Sequence, residues 1–355
     1  MKIALITDLH AGHKNNNKIF NDYFIKFYQE VFFPYLEQNK IKDIICLGDV
    51  FDNRKVINLD TLSSWRKNIF EPINEKYQTH IILGNHDCYH SNTTEVNSVS
   101  ELLYAYQNIY IIDKPIELQF DKTKILCIPW INKSNEDDCL VALKQSKCKI
   151  LMGHFDILGF QFQKNNFNTS VGFDPSNFKK FSKVLSGHYH HKSDDGKIFY
   201  LGSPYEMLSC DLGCERGFHI LDTETTKLEF IQNPYKIYHK IIYDDKKYNN
   251  IEDMIPDNIN IYKDCYVKIL IKNKNNPVLY DSFINKIEAE NPFHVDPIEV
   301  KIEESLNEEF ELDEHKDIVD IFKDYIVSSN IENDYKDEVL NKILSLYKNS
   351  LEIEL

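Results

Sequence analysis

Thr79-His80-Ile81-Ile82-Leu83-Gly84-Asn85-His86-Asp87 is the stretch that decides how this 355-residue chain is read. Apolar side chains run to Leu83 over the length of a strand, and a glycine closes the run. Directly after it stand an amide, an imidazole and a carboxylate. The carboxyl ends of strands are where an open α/β sheet meets its ligands. Four further blocks repeat the pattern: Asp8-Leu9-His10, Gly48-Asp49, Gly153-His154 and Gly187-His188-Tyr189-His190. Together with Gly84-Asn85-His86-Asp87 these blocks hold five of the thirteen histidines, so the clustering exceeds what composition alone provides. The donors are oxygen and imidazole nitrogen without thiolate, a set that suits Mn, Fe or Zn in paired sites. Glycine ahead of the donor is expected to let the backbone turn sharply and a phosphate come close.

Working outward, strand-like runs occupy residues 2–8, 43–49, 79–85, 109–113, 125–130, 149–154, 184–190, 199–203 and 218–223. Phe20, Phe24, Phe27 and Val31 keep helical spacing, which predicts a helix ending at Pro34; further helices are predicted over 61–71 and 95–106. Strands alternating with helices, followed by a strand-rich half, predict an α/β sandwich with its sheets in the middle. The pattern changes at Asn233-Pro234, so residues 1–233 read as one domain. Residues 234–300, with strands at 237–243 and 266–271 and a helix at 279–289, read as a smaller second one. Residues 301–315 are dense in glutamate and read as an acidic linker. Over 316–350 two amphipathic helices are expected, marked by Ile318, Phe322, Tyr325 and Ile326 and by Val339, Leu340, Ile343, Leu344 and Tyr347.

Charge is unevenly spread. Residues 1–200 carry 24 Lys+Arg and 23 Asp+Glu, whereas residues 201–355 carry 17 and 33, a net of −16. The first half is therefore free to present local positive patches, and the acidic end cannot bind phosphates. Arginine is confined to Arg54, Arg66 and Arg216 against 38 lysines. Arginine forks supply the commonest bidentate contacts to guanine, so any nucleic-acid contact should read backbone and shape more than sequence. The eight cysteines show no CxxC pair, which points to a reduced, cytoplasmic-type protein. No apolar run approaches a membrane span, and Asp8 ends the first apolar run too early for a signal peptide.

In order and spacing the five blocks resemble the calcineurin-like metallophosphoesterase superfamily over residues 1 to about 230. The resemblance implies an α/β/β/α sandwich with a smaller α+β capping domain and a C-terminal helical hairpin. It also implies that Asp8, His10 and His190 hold one metal, that Asn85, His154 and His188 hold the other, and that Asp49 bridges both. His86 is similar to the family's proton-donating histidine, and Asp87 is expected either to orient it or to cap a strand end. The chemistry has its own logic. A phosphodiester repels hydroxide, and two divalent ions held ~3.5–4 Å apart neutralise that charge and clamp an in-line displacement.

Gly48-Asp49-Val50-Phe51-Asp52-Asn53-Arg54, and Gly202-Ser203-Pro204-Tyr205 followed by Arg216-Gly217-Phe218, resemble the motifs of SbcD-type double-strand-break-repair nucleases. The short bacteriophage members that partner an SbcC/Rad-type coiled-coil ATPase are the most similar. What this implies is a Mn-dependent nuclease (Mg, Fe or Zn being alternatives) with exonuclease action on duplex ends and endonuclease action on single strands or hairpins. The ATPase would dock on residues 316–350, and the nuclease would form a homodimer within a heterotetramer in the cytoplasm, a host's if phage-encoded. Position 52 is Asp where many cellular members carry a His tied to exonuclease action. Arg54 and Lys55 are candidate DNA-phosphate contacts, and Leu102, Leu103 and Tyr106 are a candidate dimer face. The competing expectation is a phosphoesterase of small-molecule diesters or monoesters.

Overall fold

The structure, a computed structural model, describes residues 1–160 and 172–299 together with Ile326, Tyr335, Lys336, Val339, Leu340, Lys342, Ile343 and Leu346. The linker read at 301–315 and, apart from those eight positions, the helical segment read at 316–350 lie outside the described residues.

Within the first 233 residues the strands are β1 (Lys2–Ile6), β2 (Asp43–Cys46), β3 (Gln78–Ile82), β4 (Ile109–Ile112), β5 (Ile116–Phe120), β6 (Thr123–Ile128), β7 (Ile150–His154), β8 (Lys183–Gly187), β9 (Ser193–Asp194), β10 (Ile198–Tyr200), β11 (Gly217–Asp222) and β12 (Leu228–Gln232). They form two six-stranded sheets, ordered β12-β11-β1-β2-β3-β4 and β5-β6-β7-β8-β10-β9. In the first, β1 to β4 are parallel and β11 and β12 add antiparallel. In the second, β6, β7, β8 and β10 are parallel between antiparallel β5 and β9.

Ile3, Leu5, Ile45, Ile82 and Ile112 of the first sheet share one buried cluster with Ile125, Cys127, Ile150, Met152 and Leu185 of the second. Each such side chain stabilises the fold by about 1.5–3 kcal/mol. The opposite face of the second sheet packs Leu126, Ile128, Leu151 and Val184 against Cys139 and Leu143 of the helix Glu136–Gln145. On the outer face of the first, Tyr28, Phe32, Phe70 and Ile73 meet Ile44, Cys46 and Ile81. The result is an α/β/β/α sandwich, as the alternation of elements predicts.

Pro34 does not end its helix. Lys18–Phe27 continues through a π turn, Tyr28–Phe32, into Phe33–Gln38. The Phe33 N–H reaches back five residues to the Tyr28 carbonyl, which gives the proline ring room without breaking the rod. The helix from Leu59 repeats the device, with a π turn at Arg66–Phe70 just ahead of Pro72. The helix expected over 95–106 is only Ser98–Leu103, capped by the Asn97 side chain, which accepts from Ser100 N at 2.7 Å. Leu103 is buried in its own core there and not available as a dimer face.

A second compact unit takes Tyr205–Cys214 and, among the described residues, 234–299. Its parallel strands β13 (Tyr238–Asp244), β14 (Tyr266–Asn273) and β15 (His294–Glu299) carry the helix Pro277–Glu288, packed through Tyr280, Phe283 and Ile287 onto Tyr243, Val267 and Ile269. Among the described residues no helix is long and apolar enough to cross a membrane. None of the eight cysteines forms a disulfide.

Candidate metal centre

All five blocks lie at the carboxyl ends of parallel strands: β1, β2 and β3 of one sheet, β7 and β8 of the other. The segments after β1 and β2 run together, with Asp8 N donating to Gly48 O at 3.0 Å, His10 N to Asp49 O at 3.0 Å and Ala11 N to Val50 O at 2.8 Å. Asp8, His10, Asp49 and His188 all adopt left-handed backbone, with φ of 54°, 46°, 55° and 88°. Such conformations cost of order 1–3 kcal/mol each and persist where surrounding structure enforces them, commonly at functional sites.

Two glycines show what the blocks require. A Cβ on Gly84 would fall on the Asp49 carboxylate, and one on Gly48, whose φ is 106°, would lie 2.5 Å from His154 Nδ1. The space these glycines open is filled by neighbouring loops, so the expectation that it serves an incoming phosphate is corrected. Asp87 also differs from its expected orienting role. Its Oδ2 accepts from Asp49 N and Gly84 N, and its Oδ1 from Val50 N and Phe51 N, at 2.9–3.3 Å. It fastens the β2 loop to the β3 loop, while the His86 Nδ1–H donates to the Asp52 carbonyl at 2.5 Å.

The seven candidate ligands converge as two groups. Asp8, His10 and His190 bring one donor atom each within 4.8 Å of one another, and so do Asp49, His154 and His188. Asn85 Oδ1 joins the second group, 2.9 Å from both His154 Nε2 and His188 Nδ1. Asp49 Oδ2 lies 3.2 Å from His154 Nε2 and 3.8 Å from His10 Nε2, within reach of both groups. Asp8 Oδ1 accepts from His188 N at 3.1 Å, and the buried Asp8 Oδ2 has no hydrogen-bond partner among the described residues.

The electrostatics call for positive charge. His154 Nδ1 donates to Leu47 O at 2.8 Å, which turns Nε2 toward two oxygens, Asn85 Oδ1 and Asp49 Oδ2. Three lone pairs cannot meet there unless a proton or a cation stands between them. Burial disfavours charge on His154, yet Asp49 and Asp8 push it up to about 9. Burial likewise opposes the Asp49 carboxylate, but His154, His86 and His10 hold it well below the usual range. Burial pushes Asp8 upward, with His154 opposing the shift and Asp49 adding to it. Hard oxygen and imidazole donors, a buried carboxylate oxygen left over and convergent lone pairs all fit divalent cations.

Three residues reach this centre without being among its expected ligands, although Asp52 and Arg216 lie in the stretches that carry the nuclease resemblance. Asp52 Oδ1 lies 3.0 Å from His10 Nδ1 and 3.2 Å from His13 Nδ1. The Asp156 carboxylate accepts from Tyr189 OH and stands 4.0 Å from His188 Nε2. Buried Arg216 donates to the His190 carbonyl and, at 2.8 Å, to Ser203 Oγ, which explains the paired Gly-Ser-Pro-Tyr and Arg-Gly-Phe stretches. Arg54 and Lys55 stand over aromatic rings, Arg54 5.5 Å from the Trp130 centroid and Lys55 5.9 Å from that of Tyr89.

Residues 1–192 match the calcineurin-like phosphoesterase family. The chain belongs to that family. A calcineurin-like phosphoesterase is a hydrolase of phosphate esters that uses divalent metal ions, and the two donor groups are candidates to hold them. Exonuclease subunit 1 of Enterobacteria phage T4 is 33% identical over 243 residues, 68% of this chain and 71% of that protein. Putative phosphoesterase 078R of invertebrate iridescent virus 3 is 22% identical over 195 residues, 52% of this chain and 54% of the relative. Among solved structures, an archaeal phosphodiesterase is 16% identical with a TM-score of 0.34, covering 66% of this chain and 100% of its own. A dimetal phosphatase from Danio rerio is 10% identical with a TM-score of 0.35, covering 62% of this chain and 91% of its own.

Proposed function

We propose that this phosphoesterase is a Mn-dependent DNA nuclease, acting as an exonuclease on duplex ends and an endonuclease on single-stranded or hairpin DNA. The observation that carries a two-metal reading is the reach of Asp49 Oδ2, 3.2 Å from one donor group and 3.8 Å from the other. DNA as substrate is supported by the likeness to the phage T4 exonuclease subunit. Asp8, His10 and His190 would hold one ion and Asn85, His154 and His188 the other, with Asp49 between them. When bound, such a pair neutralises phosphate charge and lowers the pKa of water. The chain's own groups do the rest. His86 Nδ1 is committed to the Asp52 carbonyl, so Nε2 is the atom that can pass a proton to the leaving oxygen. Asp87 keeps the loops bearing Asp49 and His86 in register.

The same reading assigns residues 1–233 to the nuclease domain, 234–300 to a capping, DNA-binding domain, 301–315 to a linker and 316–350 to docking of an SbcC-like ATPase in a repair and recombination complex. A homodimer within that complex, in the (host) cytoplasm, completes it. Arg54 and Lys55 would grip DNA phosphates beside the site. Phe322→Glu combined with Leu344→Glu should abolish co-purification with the ATPase; full stoichiometry in the double variant would remove 316–350 as the docking segment.

The activity is tested by incubating the protein and Mn with labelled duplex, hairpin and single-stranded DNA. Cleavage of these substrates supports the reading. Turnover of bis-p-nitrophenyl phosphate or cyclic nucleotides with every DNA left intact would replace it with a small-molecule phosphoesterase.

A further inference from the structure

Asp52 touches both arms of the proposed chemistry. Its carboxylate oxygen Oδ1 lies 3.0 Å from Nδ1 of His10, a residue of the first donor group. The same oxygen is 3.2 Å from His13 Nδ1, and His13 is itself braced, its ring 5.2 Å from that of Phe20 and 6.2 Å from that of Phe24. The main-chain carbonyl of Asp52 takes the His86 Nδ1–H. The backbone that sets these three contacts is itself fixed, because Asp52 N donates to Ala11 O at 3.0 Å and so ties the β2 loop to the β1 loop that carries His10. His10 and His86 rings then meet edge to face at 4.9 Å.

We propose that Asp52 is a positioning residue with two separable duties. Its side chain, supported by His13, holds His10 with Nε2 turned to the first donor group and makes that imidazole a stronger ligand. Its carbonyl fixes His86 in the Nδ1–H form. Outer carboxylate partners of ligating histidines typically govern 10–100-fold in metal affinity. This inference rests on the reading of His10 as a ligand and His86 as the proton donor.

The two duties can be taken apart, because Asp52→Asn removes the carboxylate charge and leaves the carbonyl in place. Mn titration calorimetry on the full chain should show two equivalents. In Asp52→Asn one equivalent should weaken about 10–100-fold and the other stay as it was, and His13→Gln should weaken the same equivalent by a smaller factor. Imidazole nitrogen NMR of the metal-free protein should show the His86 Nδ1–H tautomer unchanged in Asp52→Asn. A merely structural role for Asp52 would disturb both equivalents and the His86 tautomer together, and that result overturns the proposal. Wild-type affinity for both equivalents in Asp52→Asn overturns it as well. His10→Ala separates this failure from that of the underlying reading. If His10→Ala still binds two equivalents, the ligand assignment falls; if it loses one while Asp52→Asn loses none, only the role of Asp52 falls.

Discussion

The Nε2 atoms of His10 and His190 face each other at 3.0 Å. Two imidazolium ions cannot share that distance, and the surroundings divide the pair. Burial opposes charge on His10, but Asp52, Asp49 and Asp8 push it up to about 9. Burial, then His10 and Arg216, hold His190 well below the ordinary histidine range. One ring therefore keeps a proton and the other offers a lone pair, and Asp8 Oδ1 lies 4.0 Å from His190 Nε2. A cation held among these three groups would relieve both rings at once.

Removing the proton donor should separate turnover from metal binding. His86→Ala is expected to keep both ions, since His86 belongs to neither donor group, and to lose about 10²–10⁴-fold in kcat. Single-turnover cleavage of a labelled DNA strand, alongside metal analysis of the same sample, checks it.

Asp87→Ala should behave differently, as a stability defect. It leaves four backbone N–H groups, those of Asp49, Val50, Phe51 and Gly84, without their acceptor. Unsatisfied buried donors cost about 1–3 kcal/mol each. A loss of at least ~3 kcal/mol corresponds to roughly 6–12 °C in Tm for a domain of this size, measurable by calorimetry. An unchanged Tm with lost turnover would return Asp87 to a catalytic role.

His219 should make the fold acid-sensitive. Burial, then Lys192, lower its pKa to about 3. Between that value and the unfolded value near 6.5 the unfolded chain binds the extra proton, so stability is complete above about 6.5 and is lost as pH falls toward 3. The slope is ~1.4 kcal/mol per pH unit. His219→Leu should remove this component. Urea midpoints at pH 7.5, 6 and 5 should therefore fall more steeply in the wild type than in the variant.

If Arg54 and Lys55 contact phosphates, the double variant Arg54→Ala/Lys55→Ala should bind DNA more weakly by a similar factor for every sequence. Its log K against log salt plot should be shallower by about 0.9 for each phosphate no longer neutralised. Fluorescence anisotropy across a salt series measures both. A variant weakened on one sequence only would point to base reading.

Much of the fold and the site is legible in the sequence because the informative residues are local. An apolar strand followed at once by its donors places Asp8, Asp49, Asn85, His154 and His188 at strand ends without any tertiary knowledge. Strands that carry little apolar signal escape such a reading: β5, Ile116–Phe120, is largely exposed, β9 is two residues long, and β15 contains Pro297. The passage of two helices through proline depends on π turns, which side-chain periodicity does not announce. What Asp52, Asp156 and Arg216 touch is hidden for another reason. Their contacts cross between loops, and an aspartate beside a histidine ligand looks in sequence like any loop aspartate. Adjacency alone places Asp87 beside His86, whereas its carboxylate turns away to the backbone of the β2 loop.

Anomalous diffraction from Mn-soaked crystals tests most directly whether Asp49 lies between two metal ions in one phosphodiester-cleaving site. Two peaks flanking Asp49 are predicted, one beside Asp8, His10 and His190 and one beside Asn85, His154 and His188. A single peak, or peaks remote from Asp49, would contradict that arrangement.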